Sequence, residues 1–384
     1  MTDKITNIEN TRGDINLPFG IYIHIPFCKK KCNYCDFVSI ANDNLMCEDS
    51  KFIDKYLQAL SNEITSKIAT LNNYLPKTIY IGGGTPSILS EKQIIFLFEN
   101  LYKNLKKQFS NEEIETIFEV NPESITSHKL ETLKIYGVNR LSFGLQSYND
   151  RILKFLGRIH TVKDFCSAYD LAKRIGYKNI NVDLMFGIPE QSLDDWKETL
   201  NKTIDLNPEH ISIYGLTIEA GTKFFSSGIT VNDDLSADMY KFAIEFLKEK
   251  GYHHYEISNF SKKGYECLHN INYWQNNQYY GFGLGATSYI NKKRIKNTED
   301  IKEYINGKYD LEFEELGEEK KMSESLMLGL RLIDGVIISD SIKIKYNKQI
   351  NNLKNLDLLI EHNNLIRLSD KGIMYANCVF REFL

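Results

Sequence analysis

Residues 20–37 read G-I-Y-I-H-I-P-F-C-K-K-K-C-N-Y-C-D-F, and the rest of the chain is arranged around them. Ile21, Ile23 and Ile25 alternate with Tyr22 and His24, a period of two that makes a strand with isoleucines on one face and polar rings on the other. Three of the seven cysteines, Cys28, Cys32 and Cys35, follow at once in C-x3-C-x2-C spacing. An odd set of close thiols, in a chain without a secretory signal, argues against a disulfide framework. Soft thiolates select zinc or an iron–sulfur cluster. A closed structural zinc site needs a fourth ligand, for which His24 is the candidate, whereas a cluster on three thiolates leaves one iron open. Spacing by itself leaves the two metals level.

The composition sets outer bounds. At 384 residues the chain exceeds one typical domain, so one large unit and a smaller one are expected. We divide it into a flexible polar lead-in over 1–18, a barrel over 19–230 and a C-terminal domain over 231–384. Hydrophobic content of 42% and charged content of 26% are those of an ordinary soluble protein. A net charge of -4 argues against a broad nucleic-acid footprint. No apolar run is long enough to span a bilayer and the first ten residues, M-T-D-K-I-T-N-I-E-N, are not signal-like, so the expected location is cytoplasmic.

Beyond the cysteines a strand-then-helix rhythm repeats. Asp49–Leu71 carries Phe52, Tyr56, Leu57 and Leu60 at helical spacing and leads to a strand at Thr78–Ile81. Further strands are expected at Glu115–Val120, Arg140–Leu145, Asn179–Phe186 and His210–Leu216, with helices beginning near Ser90 and over Leu193–Leu206. Alternation of this kind predicts an α/β fold with a parallel sheet, because parallel neighbours need a crossover of about a dozen residues or more. Six units are too few to close an eight-stranded barrel, and a partial barrel accounts for them.

The unusual residues fall at strand carboxyl ends, where parallel sheets bind ligands. The cysteine loop ends the first strand, Gly82-Gly83-Gly84-Thr85 the second, Glu119 the third and Gln146 the fourth; Asp183 lies in the fifth, and Tyr214 to Thr217 end the sixth. The triple glycine reads either as a tight strand-to-helix turn or as backbone opened to a ligand. Past residue 230 the pattern changes. Leu235–Lys250 reads as a helix, His253–Phe260 as aromatic and irregular, and Cys267–Trp274 as a polar-aromatic cluster. The run Gly281-Phe-Gly283-Leu-Gly285 allows close backbone approach. From Glu318 onward, helices ending in a hairpin-like tail suggest a small helical or winged-helix module, a shape that does not by itself imply DNA binding.

The C-x3-C-x2-C motif with Tyr34 before its last cysteine resembles the signature of the radical S-adenosylmethionine (SAM) superfamily. The longer string Y-I-H-I-P-F-C-x3-C-x-Y-C-D-F resembles its oxygen-independent coproporphyrinogen oxidase-like family. The resemblance implies a (βα)6 partial barrel in which Cys28, Cys32 and Cys35 hold a [4Fe-4S] cluster and SAM chelates its open iron through the amino and carboxylate groups. G-G-G-T-P-S, F-E-V-N-P-E, L-S-F-G-L-Q-S, L-G-R-I-H and V-D-L-M-F-G-I-P match further family motifs in order, reaching most of residues 20–290. By that match Tyr22, Tyr34, Gly83, Gly84, Thr85, Glu119, Gln146, Arg158 and Asp183 surround SAM. Carboxylates and an amide suit ribose hydroxyls and the ammonium, and Arg158 suits a carboxylate.

His269 opens H-N-I-N-Y-W. From the residues alone it reads as a buried histidine bonded to a backbone carbonyl, with Cys267 a competing ligand. The string resembles H-N-x-x-Y-W of the family's haem-chaperone branch, which implies haem on the imidazole beside Tyr273 and Trp274. Coproporphyrinogen dehydrogenases of the family carry a fourth cysteine two residues after the third and an N-terminal extension. Here Phe37 occupies that position and only a short polar lead-in precedes the strand. The expected function is therefore a haem chaperone in porphyrin metabolism, carrying a [4Fe-4S] cluster, SAM and haem. Its expected partners are an electron donor and an unidentified acceptor haem protein, with membrane-associated respiratory enzymes as the class the resemblance suggests. A homodimer is compatible with the sequence. The alternatives are a radical enzyme acting on a porphyrin precursor, which leaves enzyme status open, and a zinc-stabilised protein without radical chemistry.

Overall fold

A computed structural model describes residues 19–41, 50–68, 76–105 and 114–384. The lead-in expected over 1–18 lies outside the described residues, as do Cys47 and both ends of the first expected helix, Asp49 and 69–71. The six expected strands form as β1 (Phe19–Ile25), β2 (Pro76–Gly83), β3 (Glu115–Val120), β4 (Arg140–Gln146), β5 (Ile180–Phe186) and β6 (His210–Gly215). Each is parallel to the next in chain order. Ile21, Ile23 and Ile25 are fully buried in one core with Tyr56, Leu57 and Leu60 of helix α1 (Ser50–Ile68), while Tyr22 and His24 face the opposite way. Helices Val162–Ile175 and Leu193–Asp205 begin where Thr161 with Asp164, and Ser192 with Asp195, close capping boxes that satisfy the first free N–H groups.

The sheet continues past residue 230 at both edges. The stretch expected to be irregular is a hairpin, β7 (His253–Glu256) and β8 (Asn259–Ser261), antiparallel on β6. Its aromatics pair across the turn, the His254 ring stacking on Phe260 at 4.2 Å and 9°. At the other edge β9 (Tyr279–Phe282) runs parallel to β1, followed by antiparallel β10 (Thr287–Ile290), β11 (Lys293–Asn297) and β12 (Asp310–Glu315). The full order is β12-β11-β10-β9-β1-β2-β3-β4-β5-β6-β8-β7. The expected close approach at the glycine run is to the chain itself. A Cβ on Gly281 would run into the Thr287 carbonyl, and Gly283, at φ 105°, lies against the His24 carbonyl.

Beyond helix Glu318–Gly329, a three-stranded antiparallel sheet (Val336–Ile337, Leu365–Leu368, Leu359–His362) and short helices enclose a second hydrophobic cluster around Leu326, Ile342, Ile366 and Val379. This winged-helix shape meets the barrel where Leu332 bridges Glu256 and the Arg331 guanidinium lies 4.2 Å over the Trp274 ring.

A buried carboxylate holds the early and late parts of the sheet together. Glu63 of α1 is 0% exposed. Its Oε1 accepts from Lys67 Nζ (2.9 Å) and Asn297 Nδ2 (2.7 Å), and its Oε2 from the Gly283 amide (2.9 Å) and the Tyr304 hydroxyl (2.6 Å). Removing such a carboxylate leaves the buried Gly283 amide and Tyr304 hydroxyl without their acceptor and takes one acceptor each from Asn297 and the partly exposed Lys67. We expect Glu63→Ala to lower the free energy of unfolding by about 3 kcal/mol in urea titrations, the scale for breaking a buried ion pair; a loss below about 1 kcal/mol would show that the contact contributes little.

Candidate functional site

Side chains at alternate positions of β1–β6 project inward, and those nearest the strand carboxyl ends build one mouth. The glycine loop is fastened to the strand–cysteine junction by two backbone bonds, Gly84 N–H to the Ile25 carbonyl (2.9 Å) and Thr85 N–H to the Phe27 carbonyl (2.8 Å). Gly84 is required there, since a Cβ would lie 2.9 Å from both Cys28 Sγ and the Phe27 carbonyl oxygen. Gly83, at φ 120°, lies flat against the His24 ring. The buried Thr85 hydroxyl donates to Cys28 Sγ (3.5 Å) and accepts from Asn121 Nδ2 (3.0 Å), so Thr85 braces the first cysteine.

Cys28 is buried, and Cys32 and Cys35 are half-buried on the same loop. Burial pushes the Cys28 thiol up to about 12 despite the Thr85 hydroxyl, and burial also raises Cys35. Cys32 Sγ instead faces a cation, Arg158 Nη1 at 3.8 Å. Arg158 Nη2 is fixed by the Gly144 carbonyl and Asn121 Oδ1, each at 2.8 Å. Among the described residues no three His, Cys, Asp or Glu side chains are grouped to hold a single metal ion. In a cubane cluster each thiolate takes its own iron, so three thiols of one loop, backed by a guanidinium and a glycine that clears the first sulfur, fit that group. His24 is committed elsewhere. Its Nε2 donates to the Val38 carbonyl (2.7 Å), which leaves Nδ1 to accept from the Tyr22 hydroxyl (2.9 Å).

Two carboxylates complete the mouth. Glu119 Oε1 accepts from the Tyr80 hydroxyl (2.7 Å) and Oε2 from the Gly83 amide (3.0 Å). Burial lifts it to about 7, the Tyr80 bond opposes the rise, and the charge of Asp183 adds to it. Asp183 is raised by burial and opposed by donors beneath it, with Asn181 Nδ2 reaching Oδ1 (2.8 Å) and Ser142 Oγ reaching Oδ2 (3.1 Å). Gln146 ends β4 in the left-handed region at φ 72°, a strained conformation for this residue type at a strand end. Tyr22 lies 6.0 Å from Tyr80, ring to ring, and burial raises its hydroxyl. Tyr34 packs on the cluster around Ile152, Leu156 and Met185. The expected SAM set thus gathers at one end of the barrel, together with Asn121, Tyr80, Ser142 and Asn181, which the sequence reading did not single out.

His269 lies beneath that mouth, its ring 5.1 Å from the ring of Tyr80. It lies on helix Leu268–Trp274, is 1% exposed and packs against Gly20 and Thr78 near the starts of β1 and β2. Thr78 Oγ1 bonds its Nδ1 (2.7 Å), Tyr273 Oη bonds its Nε2 (2.9 Å), and burial depresses its pKa to about 3. His160 is buried with Nδ1 3.5 Å from the Glu123 carboxylate. Cys267 precedes the helix that carries His269, Cys166 Sγ meets the Tyr148 hydroxyl at 2.9 Å, and Cys378 is exposed.

A parallel half-barrel whose mouth gathers three cysteines, a glycine loop, two carboxylates and a guanidinium has the layout of a radical SAM protein, and residues 22–203 match the Radical SAM superfamily. The chain is 37% identical to the haem chaperone HemW of Bacillus subtilis (strain 168), across 94% of this chain and 98% of that protein. It is 35% identical to HemW of Lactococcus lactis subsp. lactis (strain IL1403), across 96% and 97%. Among solved structures, coproporphyrinogen III oxidase HemN of Escherichia coli, described as a radical SAM enzyme, superposes with a TM-score of 0.82 at 22% identity, covering 96% of this chain and 91% of that one, a likeness of fold. The chain belongs to the HemW haem-chaperone family within that superfamily.

The buried Glu119 makes stability pH-dependent. A free glutamate titrates near about 4.3, so a folded value of about 7 means the folded state keeps a proton that the unfolded chain has released. The group's contribution is complete below about pH 4.3 and is lost as pH rises through about 7. In cluster-free protein, the stability of wild type relative to Glu119→Gln should fall by on the order of 2 kcal/mol between about pH 5 and pH 8. Denaturant midpoints of the two proteins that move in parallel across that range would refute the assignment.

Proposed function

We propose that the chain is a haem chaperone that binds a [4Fe-4S] cluster, SAM and haem and passes haem to an acceptor protein. The observation that carries the reading is the reach of the HemW similarity, which spans the barrel, the helix bearing His269 and the C-terminal module together. Phe37 supports it, standing 62% exposed at the position where the related oxidases carry a further cysteine. In this reading Cys28, Cys32 and Cys35 hold the cluster, with Arg158 offsetting charge beside Cys32. Gly83, Gly84, Thr85, Glu119, Gln146, Asp183, Tyr22 and Tyr34 surround SAM at the mouth, with Glu119 and Asp183 accepting from its hydroxyls or ammonium. A bound cluster supplies one-electron chemistry to SAM. Haem ligation by His269 requires that Nε2 leave the Tyr273 hydroxyl and that helix Leu268–Trp274 withdraw from the barrel. The acceptor belongs to the respiratory haem enzymes, an electron donor serves the cluster, and the chain works in the cytoplasm, alone or as a homodimer. No described helix is long and apolar enough to cross a membrane.

Haem titration run in parallel with an oxidase assay tests the reading. Anaerobically reconstituted protein should bind haem, and should give no protoporphyrinogen at enzyme-like rates from coproporphyrinogen III, SAM and reductant. Turnover at such rates would instead favour a radical enzyme acting on a porphyrin precursor, and a colourless protein holding zinc without iron or sulfide would remove the cluster. His269→Ala with its cluster intact should shift the Soret band and weaken haem transfer. Unchanged binding and transfer would leave His269 a purely structural residue.

A further inference from the structure

We propose that the lysine face of the cysteine loop docks an acidic protein that carries single electrons to the cluster, an inference that rests on the cluster reading above. Lys29, Lys30 and Lys31 fill the interval between Cys28 and Cys32, and all three are exposed. Two are held in place by neutral partners, Lys29 Nζ donating to the Glu123 carbonyl (2.8 Å) and Lys31 Nζ to the Phe37 carbonyl (3.2 Å). Carbonyls fix the ammonium groups and leave their charge uncompensated. Lys30 has no hydrogen bond or ion pair among the described residues. Lys129, half-buried with its Nζ donating to the Ser87 and Ser124 carbonyls at 2.8 Å each, adds a fourth, weaker charge close to Lys29, since burial lowers its pKa to about 8.

Four cations together run against the character of a chain whose net charge is -4. The exposed carboxylate within the same loop, Asp36, offsets one of them. Beside the lysines Phe37 stands out 62% exposed, an apolar ring ringed by charge. Rim charges steer an oppositely charged partner and set its orientation, and an exposed aromatic gives a contact that can be desolvated. The location favours an electron carrier over other anionic partners. The lysines are the residues between two of the ligand thiols, and Cys32 and Cys35 are only half-buried, so a partner seated here rests on the loop that holds the cluster. The transfer is outer-sphere. One electron leaves the carrier and enters the cluster, with no bond made or broken.

The test uses full-length holo-protein and a flavodoxin as the acidic carrier. Cluster bleaching by flavodoxin hydroquinone is followed in stopped flow, and binding of oxidised flavodoxin to the oxidised holo-protein is titrated separately, a readout that needs no turnover. Lys30→Glu should slow flavodoxin reduction about five- to ten-fold at low ionic strength and weaken binding in proportion, with Lys30→Gln intermediate. The difference should shrink as salt rises to about 0.5 M, and reduction by photoreduced deazaflavin should match wild type. Lys30→Glu with wild-type iron and sulfide content, yet with the wild-type flavodoxin rate and salt dependence, would overturn the docking site and leave the cluster reading intact. A wild-type protein that assembles no cluster would overturn both. Loss of binding to anionic vesicles without any change in flavodoxin reduction would assign the lysines to a lipid surface and also overturn the proposal.

Discussion

One guanidinium organises the mouth of the barrel. Arg158 reaches Cys32 because the short helix Asp150–Leu156 stops at Gly157, whose left-handed backbone at φ 82° turns the chain back toward the cysteines. The cysteine loop in turn completes that helix. Asn33 donates its amide to the Leu156 carbonyl (2.9 Å) and its side chain to the Phe155 carbonyl (2.7 Å), satisfying acceptors that a helix end leaves free. A Cβ on Gly157 would press on Asn33 at 3.0 Å, so the same glycine sets both the helix stop and the seat of the loop. With Nη2 shared between the Gly144 carbonyl and Asn121 Oδ1, the Arg158 charge is held in place and aimed at the Cys32 sulfur.

Beneath the mouth the barrel interior is polar and linked. Asp183 rests on Asn181, whose side-chain Oδ1 accepts from Ser212 Oγ (3.1 Å) and meets His210 Nδ1 (2.6 Å). His210 Nε2 meets the Tyr255 hydroxyl (2.8 Å), which accepts from the Cys267 amide (3.2 Å) at the start of the helix that carries His269. Buried polar groups persist when each finds a partner, and here the partners run in series from the mouth to the floor. The two ends of the barrel therefore share one hydrogen-bonded interior.

Strands β1 to β6 were legible because a strand-then-helix rhythm recurred along the chain, and Glu119 and Gln146 at strand ends, with Asp183 inside the fifth strand, were singled out by position together with the family motifs around them. Asn121 stands two residues after Glu119, an interval that keeps a residue on the same face of an extended chain, so the signal for it was present and unused. The hairpin at 253–261 was missed because its strands are four and three residues long and its sequence, H-H-Y-E-I-S-N-F-S, carries no regular alternation. Strand β9 was hidden for another reason. Gly281 and Gly283 break the expected β composition, and the partner that stabilises it is β1, far away in the chain. His269 is buried as its residues suggest, but its partners are the Thr78 and Tyr273 hydroxyls rather than a backbone carbonyl, and no local pattern connects Thr78 to it.

The pairing of β9 with β1 bears on how the protein is made. As the chain leaves the ribosome, β1 and the cysteine loop are among the first segments out, while β9 to β12 and the partners of Glu63 emerge far later. Until then one edge of an isoleucine-rich strand stays unpaired and the α1 carboxylate lacks the donors that satisfy it when buried. Such distant contacts form slowly because loop closure precedes any gain from them. The nascent chain must keep that edge from pairing with its neighbours, and its cysteines from oxidising, until synthesis has passed Phe282, the last residue of β9 that pairs with β1.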